Sequence, residues 1–267
     1  MQTATSSARL AAFRPATAPL RRASSIRRSP VRASRRAIVA PRAVFAAVVE
    51  PATKVSFPDT YDTHCKTKEM KCLGAGVREK KIAIIKVKVY AVAMYAEAGT
   101  CKAALASGKT LLDGEFHKAL LVQLVRNVDG KTFWEALDDA LVGRIKEIAT
   151  NMATAEDEDG NFMATVAEAA EVAEEAAFDA MAELKDLFSG ANLKKDSRVL
   201  IDWRPTGPSK TSVTGFDGVL TVGVVGTDVV VETKSMELAR ALFDVYLGDA
   251  PVAPDAKKAF EEGAGKL

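Results

Sequence analysis

The chain is poor in the residues that site chemistry most often uses. It has three cysteines and two histidines in 267 residues. Cys65, Cys72 and Cys101 form no CxxC pair and have no histidine at zinc-ligand spacing, so neither a zinc motif nor a redox pair is present. No metal and no other cofactor is expected. In a reducing compartment the three thiols are read as small packing residues. Neither His64 nor His117 stands beside a nucleophile motif. No run of about 18 apolar residues occurs, so no membrane-spanning helix is expected. One further absence is local. The first 43 residues contain ten arginines and no Asp, Glu or Lys.

That acid-free segment also carries six Ser, three Thr and eleven Ala. Its composition fits an organelle transit peptide, and it lacks the apolar core of about 7–15 residues that a secretory signal needs. The alternatives are a disordered tail or a basic arm for nucleic acid. The Ser/Thr/Ala bias favours a chloroplast over a mitochondrial address, with cleavage between Arg42 and Val48. Residues 1–43 are expected to remain disordered, because Arg, Ser and Pro bury too little apolar surface to offset ordering. The other 224 residues hold 27 basic and 35 acidic side chains, so the body is acidic, at about −8. Such a body disfavours nucleic acid, whose phosphates it repels. Overall the chain is 48% hydrophobic and 27% charged, which is ordinary globular composition and fits a single domain over 48–267.

Along that body, Phe57-Pro58 and Asp59–Lys68 read as an opening strand and turn. The run Lys80–Glu97 is dense in Val, Ile and Tyr and reads as a strand. Its phase sets Val87, Val89, Ala91 and Ala93 on one face, and Lys86, Lys88, Tyr90, Val92 and Met94 on the other. Lys118–Val128 is a second strand ending at Asp129-Gly130. The period then changes. Trp134, Leu137, Leu141, Ile145 and Ile148 form one face of a helix over Lys131–Thr150. A second helix spans about Asn161–Phe188 and ends at Ser189-Gly190. Strands resume at Arg198–Trp203, Thr211–Phe216, Val219–Val225 and Asp228–Glu232, with Asp217-Gly218 read as a hairpin turn. Helices over Met236–Leu247, closed by Gly248, and Asp255–Glu262 complete the chain. Segregated strands and helices imply an α+β fold with an antiparallel sheet.

Two apparent motifs do not hold. Gly74-Ala75-Gly76 begins like a dinucleotide loop, but Glu79 takes the third glycine position and a strand follows where a helix is required. Glu156–Asp159 lacks the alternating ligands of a calcium loop and reads as a solvated connection.

The segment LGAGVREKKIAIIKVKVYAVAMYAE, Leu73–Glu97, resembles the opening of chalcone isomerases and their non-catalytic relatives. The resemblance continues through LVRNVDGKTFWEALDDAL and through GVLTVGVVGTDVVVETKSMELARALFDVYLGDAPVAPDAKKAF, and spans about residues 53–262. It implies a chalcone isomerase-like open-faced β-sandwich, a large antiparallel sheet with a helical layer on one face and a cleft between them. In the catalytic members an arginine, a threonine, a tyrosine and an asparagine surround the substrate. The matching positions here are Arg78, Tyr90, Phe133 and Ala140. Phe133 has no hydroxyl and Ala140 no amide, so little remains to polarise a ketone. A one-residue shift would bring Thr132 and Asp139 to those places instead.

Arginine retained at 78 with tyrosine at 90 is similar to the plastid fatty-acid-binding branch of the family. That resemblance implies that Arg78 and Tyr90 hold a fatty acid carboxylate and that the acyl chain lies in an apolar tunnel between sheet and helices. It implies a lipid-binding rather than catalytic role, in the chloroplast stroma. A chalcone–flavanone isomerase-type intramolecular lyase acting on a flavonoid or other phenolic is the alternative. Read without the resemblance, Arg78 is a surface ion-pair partner of Glu79 or Asp129, and Tyr90 is a core residue with a satisfied hydroxyl. The two lie twelve residues apart, about 40 Å in one straight strand. The chain must therefore bend near Lys80–Ile85 if they are to meet. No protein partner is legible.

Overall fold

The computed structural model describes residues 47–62, 70–82, 85–153, 164–208, 216–228 and 230–267. The leader at 1–43, Cys65, His64 and the acidic stretch at 156–159 lie outside the described residues. The strands are β1 (Ala47–Val49), β2 (Ser56–Pro58), β3 (Thr60–Tyr61), β4 (Met70–Ile82), β5 (Ile85–Glu97), β6 (Lys118–Leu124), β7 (Val128–Asp129), β8 (Asn192–Leu193), β9 (Arg198–Pro208), β10 (Phe216–Val224) and β11 (Val230–Thr233). The helices are α1 (Ala98–Ala106), α2 (Gly130–Ala153), α3 (Ala164–Ser189), α4 (Met236–Leu247) and α5 (Pro254–Ala264).

Seven strands form one antiparallel sheet in the order β11-β10-β9-β6-β5-β4-β3. The period of two in β5 decides its two faces. Tyr90, Val92, Met94 and Ala96 join the core shared with α2, α3 and α4, while Ala91, Ala93 and Tyr95 face a second, smaller core with Phe57 and Tyr61. The larger core is the helical side. Trp134, Leu141 and Ile145 of α2 enter it at the spacing read from the sequence, as do Ala177, Met181, Leu184 and Phe188 of α3. Helix α4 is buried over ten of its twelve residues. Its start is fixed by Ser235, whose hydroxyl accepts the Leu238 N–H at 3.2 Å, satisfying a donor the helix cannot. The α+β fold is thus a large antiparallel sheet with a helical layer on one face.

Three expectations need correction. The run Lys80–Glu97 is not one strand: Lys80–Ile82 closes β4 and Ile85–Glu97 forms β5, paired antiparallel from Ile82↔Ile85 onward. The chain reverses where the lysine-rich composition permits solvent exposure, and β propensity alone carries no signal for that reversal. Asp217-Gly218 is no hairpin turn. It lies inside β10, which pairs with β9 from Phe216↔Pro208, and the register shifts between these two residues. Glycine there marks a strand irregularity: a Cβ on Gly218 would come within 2.4 Å of Trp203 Nε1. Finally, α1 was not anticipated. Its nine residues hold a single buried side chain, Cys101, so no apolar period announces it.

Gly74 and Gly76 have a packing role. A Cβ on Gly76 would lie 2.4 Å from Ala256 Cα, and one on Gly74 would lie 2.6 Å from the Ala259 carbonyl oxygen. Helix α5 therefore crosses β4 at backbone contact, which accounts for the glycine pair by packing. Gly76→Ala is expected to lower the unfolding free energy by about 2 kcal/mol, the usual scale of overpacking. Urea denaturation checks it through an earlier midpoint at unchanged slope.

Candidate functional site

The β4–β5 hairpin places Arg78 directly opposite Tyr90, so the bend required by their twelve-residue separation exists. Both side chains emerge on the helical face. A register shift follows immediately, between Arg78 and Glu79, and such irregularities re-aim side chains next to functional sites. Arg78 Nη1 donates to the Tyr90 hydroxyl at 3.3 Å, a long bond. Its guanidinium carbon also lies 5.5 Å from the Tyr90 ring centroid.

A third residue completes the cluster, and sequence reasoning missed it. Tyr246, in the last turn of α4, sets its hydroxyl 2.7 Å from that of Tyr90, with ring centroids 6.5 Å apart. Its signal was available: it supplies the one hydroxyl in Leu242–Leu247, where only Asp244 is otherwise polar, and a buried tyrosine hydroxyl normally has a partner.

Counting protons shows what this arrangement lacks. Between the two hydroxyls one hydrogen bond forms, which uses one of two O–H protons. Among the described residues no other acceptor lies within hydrogen-bonding distance of either hydroxyl. Whichever tyrosine donates, one O–H is left over, and Arg78 adds further N–H donors. Burial first, then the neighbouring Tyr90, pushes the Tyr246 phenol well above its ordinary range, so it stays a neutral donor. Burial alone would lower the Arg78 pKa, but the tyrosine oxygens outweigh it and raise the pKa above the ordinary value. The site is cationic, rich in donors and short of an acceptor.

Arg78 is half-buried, and among the described residues no carboxylate approaches it. Glu79, one of its candidate partners, instead faces Lys86 at 3.8 Å. The other family positions hold no polar group toward this cluster. Phe133 packs its ring 5.1 Å from that of Phe188, and Ala140 is partly buried against the helical core. Thr132 and Asp139, the shifted alternatives, are both exposed. None of the three described cavities is lined by Arg78, Tyr90 or Tyr246.

The described residues offer no competing chemistry at the thiols. Cys72 and Cys101 are buried, and burial pushes their pKa values up to about 12 and about 11, which leaves no reactive thiolate. His117 is a buried partner of Asp202 at 2.7 Å. No group of three or more His, Cys, Asp or Glu is placed to hold a metal ion among the described residues.

A family match covers residues 68–261 and is described as chalcone isomerase like. The chain belongs to the chalcone isomerase-like family. No curated protein matches it. Among solved structures it is similar to the fatty-acid binding protein of Arabidopsis thaliana, with a TM-score of 0.59 and 19% identity over 83% of this chain and 98% of that one. At that identity the likeness is one of fold. Family membership leaves the activity open, because the chemistry of the site decides it.

Proposed function

We propose that this chalcone isomerase-like chain is a non-enzymatic fatty-acid-binding protein of the plastid stroma, with Arg78 and Tyr90 holding the ligand carboxylate. The observation that carries the reading is the donor surplus of the Arg78–Tyr90–Tyr246 cluster inside an otherwise apolar sheet–helix interface. A carboxylate supplies the missing acceptor: the guanidinium fork binds two oxygens and a tyrosine hydroxyl adds a third bond. The acyl chain would lie between the sheet and α4. Tyr90 and Tyr246 are buried, so an acyl chain that reaches them would part α4 from β5 locally. Burying about ten methylenes contributes roughly 8 kcal/mol before the cost of ordering the chain.

The solved relative named as a fatty-acid binding protein supports the ligand class. The arginine-rich, acid-free leader supports delivery to a plastid, where fatty acids are made. Native mass spectrometry of the purified chain tests the reading. A co-purifying fatty acid is expected, and a bound phenolic with no lipid would contradict it.

The same geometry argues against chalcone cyclisation. With Phe133 and Ala140 at the two polar positions, loss of chalcone absorbance is expected to proceed at the uncatalysed rate. Turnover well above background would mean that other donors substitute for them.

A further inference from the structure

A cavity lies on the helical face at the opposite end of β6 from Leu124, which pairs with Tyr90. Its volume is about 280 Å³. Trp203, Phe243, Met236 and Leu112 give it apolar walls, and Lys118 lines it with an ammonium that is almost fully buried. Lys118 Nζ donates to the carbonyls of Leu111 at 2.8 Å and Leu112 at 2.7 Å. The rings of Phe116, Trp203 and Phe243 surround it at 4.9–5.5 Å. Two carbonyls account for two of its three protons.

What the ammonium lacks is an anion. Asp113 and Glu115 stand at the rim, but each is already engaged: Asp113 with Arg240 at 2.6 Å and with Thr110, Glu115 with Lys109 at 2.7 Å. Arg240 and Lys109 in the cavity wall are neutralised by these two pairs, so Lys118 is the cavity's uncompensated cation. Cys101 of α1, the remaining titratable neighbour, is held neutral by burial. A buried cation beside aromatic and aliphatic walls, with its nearest carboxylates taken, matches a small anion on an apolar body.

We propose that this cavity is a second ligand site, which takes a small apolar monocarboxylate with its anionic head on Lys118. The volume admits roughly ten non-hydrogen atoms at about 30 Å³ each, so a medium-chain acyl or aromatic carboxylate fits and a long acyl chain does not. The site is independent of Arg78. It also carries a signature that the Arg78 site lacks. Burial first, and Arg240 next, push the Lys118 ammonium down to about 7. Above that pH the amine is neutral, and a bound anion gains a counter-charge only if Lys118 takes up a proton.

Calorimetric titration of the full chain carrying Arg78→Ala, with octanoate and with octanol, tests the proposal at pH 6.5 and 8.5. Octanoate is expected to bind once per chain, at least tenfold more weakly at the higher pH and at least tenfold more weakly when Lys118→Met is added. Octanol is expected to bind without dependence on pH. Absence of octanoate binding in Arg78→Ala would overturn the proposal, as would affinity unchanged by pH and by Lys118→Met. The pH comparison uses a chain with Lys118 intact, so it stands even if the double variant fails to fold. Absence of an additional, Arg78-dependent binding event in the wild-type chain would count only against the fatty-acid reading.

Discussion

Replacing Arg78 by Ala is expected to weaken fatty-acid binding by roughly 150-fold. Removing one member of a buried ion pair costs about 3–5 kcal/mol, because the other charge stays buried without compensation. Arg78 is only half-buried, so the lower figure applies, and about 3 kcal/mol corresponds to that factor. Tyr90→Phe removes a single hydrogen bond to a charge and is expected to cost about 1.5–3 kcal/mol. A labelled fatty acid titrated into each variant measures both. Equal affinity for wild type and Arg78→Ala would reduce the arginine to a surface residue.

The second large effect concerns Lys118 and folding stability. In the unfolded chain a lysine keeps its proton up to about 10.4, whereas in the fold burial pushes this one down to about 7. Between those values the unfolded state holds more protons, so stability rises with pH there, by about 1.4 kcal/mol per pH step. Below about 7 both states are protonated, and the full cost of the buried charge remains. From about 9 upward Cys72 and Cys101 act in the opposite sense. Their folded thiols stay protonated up to about 12 and about 11, while the unfolded thiols ionise earlier and favour unfolding. Stability is therefore expected to peak near pH 8.5. Lys118→Met is expected to stabilise the chain by about 3 kcal/mol at pH 6, the range seen when buried charges give way to apolar groups. It should also abolish the rise above pH 7. Urea midpoints from pH 6 to 8.5 measure both, and a variant no more stable at pH 6 would contradict the pKa assignment.

The helical layer was legible because burial imposes its period on the sequence. Trp134, Leu141 and Ile145 repeat along α2 as they do in the core, and Met236–Leu247 has the bounds read from its residues. What was hidden were reversals and close approaches. The pairing of Ile82 with Ile85 reverses the chain within a run of β-formers that gives no local sign of stopping. Asp217-Gly218 has the chemistry of a turn but serves a register shift beside Trp203. Arg78 and Tyr90 were legible through the family resemblance. Their meeting required the hairpin, which only pairing across strands reveals. Tyr246 is 156 residues from Tyr90, and no spacing rule connects the two. Lys118 was invisible for a related reason: nothing in the sequence around it marks an ammonium that the fold encloses with Phe116, Trp203 and Phe243.

Whether the donor surplus of Arg78, Tyr90 and Tyr246 receives a carboxylate is measured directly by a crystal structure of the chain with a saturating fatty acid. The expected result is a carboxylate with both oxygens at about 2.7–2.9 Å from the Arg78 guanidinium, a tyrosine hydroxyl as its third donor, and the acyl chain between β5 and α4. A carboxylate bound elsewhere, with the Tyr90–Tyr246 bond still at 2.7 Å and Arg78 turned to solvent, would contradict it.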